Sequence, residues 1–130
     1  MSVIRTVCEV LPHMRRGGSG RIVNIASYSI KQSIENLILS NTFRTGLAGL
    51  AKSLAVELAQ ENILINTLGP GYILTNRSAS INEGQAQAQG VTVEEIRKQV
   101  EGQIPLGRYG TPEEFAKVAA FLASPATGTR

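Results

Sequence analysis

A chain of 130 residues is long enough for one domain with a core and too short for two. Hydrophobic residues make up 42% and charged residues 18%, a globular balance that excludes a disordered chain, and no apolar run reaches the roughly 20 residues of a spanning helix. The formal charge of +3 is mild, and the single Cys8, with only His13 for company, excludes an internal disulfide and a Cys/His metal cluster.

The first residues, Met1-Ser2-Val3-Ile4-Arg5-Thr6, lack the basic-then-apolar pattern of a signal peptide, so a cytoplasmic protein is the expectation. Val3, Val7, Val10, Leu11 and Met14 recur at helical spacing, and Gly17-Gly18-Ser19-Gly20 then stops the helix. Within it, Cys8 reads as a buried thiol and His13 as a helix-end residue. Arg15, Arg16 and Arg21 cluster, but no aromatic residues interleave with them, and a helix end favours cations by itself, so no nucleic-acid partner is expected.

Arg21-Ile22-Val23-Asn24-Ile25-Ala26-Ser27 is a short run rich in branched residues and predicts a buried strand. Residues 38–60 return to helical spacing, with Phe43, Leu47, Leu50, Leu54 and Leu58 on one stripe. Asn62-Ile63-Leu64-Ile65-Asn66-Thr67-Leu68 predicts a second buried strand, closed by Gly69-Pro70-Gly71. Helix, strand, helix, strand with short joints is the pattern of an α/β fold with a parallel sheet and right-handed crossovers.

Residues 72–90 are polar, include Gln85-Ala86-Gln87-Ala88-Gln89-Gly90, and suggest no definite element. Val93–Gln103 predicts a short amphipathic helix. Thr111-Pro112-Glu113-Glu114 is a helix start, with Thr as N-cap, Pro at the first helical position and Glu completing a capping box, and that helix should run to about Ala123. Two strands are too few for a doubly wound sheet, so the chain reads as half of a domain and the native protein as longer.

These residues carry a resemblance. Gly20-Arg21-Ile22-Val23-Asn24-Ile25-Ala26-Ser27, then Gly49-Leu50-Ala51-Lys52-Ser53-Leu54-Ala55-Val56-Glu57-Leu58-Ala59, then Asn62-Ile63-Leu64-Ile65-Asn66 running into Pro70-Gly71-Tyr72-Ile73-Leu74-Thr75, resemble the short-chain dehydrogenase/reductase family. Ile104-Pro105-Leu106-Gly107-Arg108, Thr111-Pro112-Glu113-Glu114 and Phe121-Leu122-Ala123-Ser124 are similar to members of the 3-oxoacyl-acyl-carrier-protein reductase type. The similarity covers nearly the whole chain. It implies a Rossmann-like parallel sheet flanked by helices, of which residues 1–130 are a single partial domain lacking the N-terminal dinucleotide-binding half. Gly17-Gly18-Ser19-Gly20 does not replace the missing phosphate turn, because it follows a helix and precedes a strand.

The resemblance also implies chemistry: NAD or NADP as cofactor, a small-molecule carbonyl or alcohol as substrate, and a homo-oligomer formed through helices 1–16 and 38–60. In the family a tyrosine supplies the proton, its pKa of about 10 lowered by a lysine one helical turn later, and a serine at the preceding strand end hydrogen-bonds the reacting oxygen. Ser27 stands at the serine position. Aligned on Gly49-Leu50-Ala51-Lys52-Ser53-Leu54-Ala55, the tyrosine position falls on Ser40 and the lysine position on Arg44, so the pair becomes Ser-x-x-x-Arg. A serine hydroxyl is a much weaker acid than a phenol, and a guanidinium does not give up its proton in a relay. Arg44 still offers a fixed charge and a planar fork suited to ribose or phosphate.

Ser40 reads equally as a helix cap. Tyr28 adjoins Ser27, but successive strand residues face opposite ways, which makes Tyr72 the better substitute acid. The resemblance places Pro70, Gly71, Ile73 and Thr75 against the nicotinamide, and residues 76–102 as a substrate-side lid. A serine hydrolase is excluded, since no Gly-x-Ser-x-Gly elbow is present. Two functions remain in competition with an impaired oxidoreductase: a nucleotide-binding protein without turnover, and an oligomerisation protein on the same fold.

Overall fold

The computed structural model describes residues 2–127. By its contacts the chain divides into two compact units, Met1–Pro70 with Ala119–Arg130, and Gly71–Val118.

In the first unit, α1 (Ser2–Arg16) is stopped by Gly18, whose φ of 71° a residue with a side chain adopts only at a cost. The amides of Gly17 and Gly18 donate to the carbonyls of His13 and Arg15, at 3.0 and 3.1 Å, so the glycine run closes a helix as its position implied. Strand β1 (Gly20–Ile25) follows, then α2 (Ile38–Leu58) and β2 (Ile63–Leu68). The strands pair in parallel from Gly20↔Ile63 to Ile25↔Leu68, the α/β arrangement expected. A Cβ on Gly20 would stand 2.5 Å from Met14 Sδ, so α1 meets the start of β1 closely enough to require glycine there. Arg15 grips Glu61 with both Nε and Nη2, the latter at 2.9 Å.

Leu58 and Ile63 form the best-covered part of this unit, with Val7, Ala26 and Ala51 also buried. Three expectations need correction. Cys8 is exposed, because Val7 takes the inward position and the next helical residue lies about 100° round the axis. Strand β1 is only half-buried and Ile25 is 61% exposed, since two strands among the described residues leave much of the sheet uncovered. The stripe on α2 is buried at Leu58 but 63% exposed at Phe43. A helix of 21 residues is about 31 Å long and a six-residue strand about 20 Å, so the start of α2 overhangs the sheet.

In the second unit, α3 (Asn76–Gln89) occupies the segment whose sequence suggested no element. Thr75 caps it, its Oγ1 accepting from the Ser78 amide at 3.2 Å while the Thr75 amide donates to Ser78 Oγ at 2.8 Å. Gly90, at φ 67°, ends it. Helix α4 (Val93–Gln103) starts on a second such box, Thr92 with Glu95. Helix α5 (Pro112–Ala123) begins in this unit and ends in the first. The Thr111 amide donates to Glu114 Oε2 at 2.8 Å and the Glu114 amide to Thr111 Oγ1 at 3.2 Å, the capping box the sequence predicts. Ile96, Ala86 and Tyr109 are buried, together with Asn82, whose amide donates to the Tyr109 hydroxyl at 3.2 Å.

Candidate functional site

The end of β1 is built by tight backbone contacts. The Ala26 amide donates to the Leu68 carbonyl at 2.7 Å, and the Tyr28 amide to the Pro70 carbonyl at 3.0 Å, so the two chains stay together past the last ladder pair. Gly69 permits this, because a Cβ there would meet the Ser27 carbonyl oxygen at 3.0 Å. Ser27 is extended, at φ −167°, and caps a single turn of 3-10 helix over Tyr28–Ile30, its Oγ accepting from the Ser29 amide at 3.2 Å.

Helix α2 brings two more of the expected residues to this strand end. Ser40 and Arg44 sit four residues apart, which stacks them on one helix face. Arg44 Nε donates to Ser40 Oγ at 3.1 Å, and Arg44 Nη1 donates to the Ala26 carbonyl, the residue just before Ser27. The Ser-x-x-x-Arg pair is therefore joined to the strand end that carries Ser27. Ser40 is not a cap: the N-cap of α2 is Leu37, without a side-chain bond, and Ser40 lies three residues further in. Its hydroxyl oxygen accepts from Arg44, which leaves the O–H free to donate.

Sequence reasoning gave Asn41 only the part of an early-turn residue. The structure uses it as a clamp on the incoming loop, with Nδ2 donating to the Ile34 carbonyl at 2.8 Å and Oδ1 accepting from the Ile34 amide at 3.4 Å. An asparagine beside Ser40 on a helix start was the available signal. Ser29 was also missed. It is buried, and its Oγ has no hydrogen-bond partner among the described residues.

Pro70, at the end of the first unit, serves through its carbonyl, which holds the Tyr28 amide. The second unit carries the rest of the expected segment. Gly71 is exposed. Ile73 forms a parallel bridge with Gly110, in which the Leu74 amide donates to the Gly110 carbonyl and the Gly110 amide to the Tyr72 carbonyl, both at 2.9 Å. Thr75 caps α3, so its hydroxyl oxygen is already in use. The Tyr72 ring lies edge-on to Tyr109, with centroids 6.1 Å apart. His13 stays at the end of α1, with Nδ1 2.9 Å from Arg16 Nη2.

Among the described residues no three or more His, Cys, Asp or Glu side chains group as a metal site, and no helix is long and apolar enough to cross a membrane. For a dinucleotide, the donors present suit one end only. Arg44 offers a guanidinium fork, but the turn at residues 17–20 leads from helix to strand, the reverse of a phosphate cradle.

A family model described as enoyl-(acyl carrier protein) reductase matches residues 1–129. The chain is 42% identical over 105 residues to the 3-oxoacyl-[acyl-carrier-protein] reductase FabG of Aquifex aeolicus, covering 81% of this chain and 38% of that protein. A variant of actinorhodin polyketide ketoreductase, solved with NADPH, superposes with a TM-score of 0.87 at 35% identity, over 95% of this chain and 48% of the other. L-Sorbose reductase from Gluconobacter frateurii, complexed with NADPH and L-sorbose, gives 0.89 at 28% identity, over 96% and 48%. The chain thus spans about half the length, or less, of the proteins it matches.

Proposed function

The chain belongs to the short-chain dehydrogenase/reductase family, and on that premise we propose that it supplies the carbonyl-holding half of an NAD(P)-dependent oxidoreductase acting on ketones or alcohols. NADPH in the solved relatives supports the cofactor class. When bound, a nicotinamide supplies the hydride. Ser27 and Ser40 would hydrogen-bond the substrate oxygen, and Arg44 would fix Ser40 and meet the ribose. Pro70, Gly71, Ile73 and Thr75 are assigned to the nicotinamide side. Position 40 carries no phenol, so the proton for the developing alkoxide would come from water, and turnover would be slow.

The observation that carries this reading is the bonding of Arg44 to both Ser40 and the Ala26 carbonyl, which keeps a donor hydroxyl and a cation at the strand end bearing Ser27. The test is NADPH- and NADH-dependent reduction of a broad ketone panel by a protein that includes the dinucleotide-binding half. Ser40→Tyr combined with Arg44→Lys should raise turnover by about 10²–10⁴, the usual worth of general acid catalysis. An unchanged rate would sink the assignment.

One observation favours a second reading, a nucleotide-binding protein without turnover: the Ser40 hydroxyl is tied to Arg44 and no acid replaces the phenol beside it. Nucleotide binding with no reduction of any carbonyl by the parent protein would select it. In either case we propose a homo-oligomer through α1 and α2. Ile38, Leu39, Phe43 and Val56 support it as exposed apolar side chains on α2, and a monomer by light scattering would reject it.

A further inference from the structure

Helices α3 and α4 of the second unit enclose a cleft of about 300 Å³ whose lining differs from an ordinary helix–helix contact. Asn82, Gln85 and Gln89 recur along one face of α3, and Gln99 and Gln103 stand one turn apart on α4. Facing helices usually present apolar stripes to each other. Here two rows of amides line the same cleft, and no charged side chain is among the lining residues.

The polar groups are in two conditions. Asn82 is buried and bonded to the Tyr109 hydroxyl, so it shapes the floor. Gln85, Gln89, Gln99 and Gln103 have no hydrogen bond among the described residues. Each of those amides offers a donor and an acceptor on one planar group, the complement of a hydroxyl, which is both. Tyr72, 40% exposed, adds an aromatic ring to the lining, and Ile81, Ile96 and Val100 add apolar surface.

We propose that this cleft binds a neutral, hydroxyl-rich small molecule, of the size and chemistry of a hexitol or a sugar. A carboxylate or phosphate would find no counter-charge, and burial of an unpaired charge is unfavourable. A plain acyl chain would strip water from the four glutamines and return no hydrogen bonds. A volume of this size suits a ligand of about a dozen heavy atoms. Naming that ligand a substrate rests on the reductase reading; its binding does not, and is measured without nucleotide or turnover.

The experiment is a titration of the ¹⁵N-labelled 130-residue chain with sorbitol, following the side-chain NH₂ signals by NMR. The signals of Gln85 and Gln99 should move saturably with a millimolar dissociation constant. Gln85→Leu with Gln99→Leu should weaken binding about 10-fold, and Gln85→Ala with Gln99→Ala should do the same on an unaltered helical circular dichroism spectrum, since all three residue types are good helix formers. Gluconate and acetoacetyl-pantetheine, the anionic and acyl counterparts, should not compete. Shifts that stay linear up to about 0.5 M, far beyond specific affinity, would overturn the proposal. So would tighter binding of gluconate or the thioester, or an affinity that neither variant changes.

Discussion

At position 44 a guanidinium uses two of its donors inside the protein, on the Ala26 carbonyl and the Ser40 hydroxyl. A carbonyl in a part-buried place that loses its partner costs stability, so Arg44→Met is expected to lower the unfolding free energy by about 1–3 kcal/mol in a denaturant titration. Arg44→Lys should lose less, since an ammonium can replace one of the bonds but not the fork. A methionine variant as stable as the parent would mean that the guanidinium only rests against the strand end. This role separates Arg44 from a cation kept solely for a ligand, because the protein depends on it before any ligand arrives.

The helix starts show how local chemistry sets an element. Glu114 receives bonds from Arg108, at 2.6 and 2.9 Å, and from the Thr111 amide, and its carboxyl is held down to about 2, first by Arg108 and then by that amide. Because the folded value lies below the ordinary one, the contribution to stability is complete above the ordinary carboxylate range and disappears as pH falls through about 2. Glu114→Gln is therefore expected to show a smaller drop in Tm between pH 5 and pH 2 than the parent; an equal drop in both would place the acid sensitivity elsewhere. That capping box was legible in the sequence because all its parts lie within four residues. So was the closure of α1, from its glycine run. Helix α3 was not, because Gln, Ala and Ser carry no apolar stripe, and its signals were the cap at Thr75–Ser78 and Gly90. The Ser40–Arg44 spacing was readable from aligned motifs, but the bond to Ala26, the Asn41 clamp and the exposure of Cys8 depend on how α1 and α2 lie against the sheet, which one-dimensional spacing does not encode.

On the scale of the chain, donors suited to a carbonyl and a ribose stand at the end of β1, while the described turns offer no strand-to-helix phosphate cradle of the Gly-x-Gly-x-x-Gly kind. The 130 residues alone are expected to bind NADPH or NADH more weakly than about 10⁻⁶ M, as followed by titration calorimetry; a micromolar constant would contradict that. The parallel register has a kinetic consequence as well. Gly20 pairs with Ile63 and Ile25 with Leu68, with the whole of α2 between them. Every rung thus closes a loop of roughly 40 residues before it gains a bond, whereas α2 can wind within microseconds from contacts close in sequence. Refolding should therefore proceed with helix formed early and the strands joined last, and the interval between the two is when unpaired β1 and β2 are open to other chains.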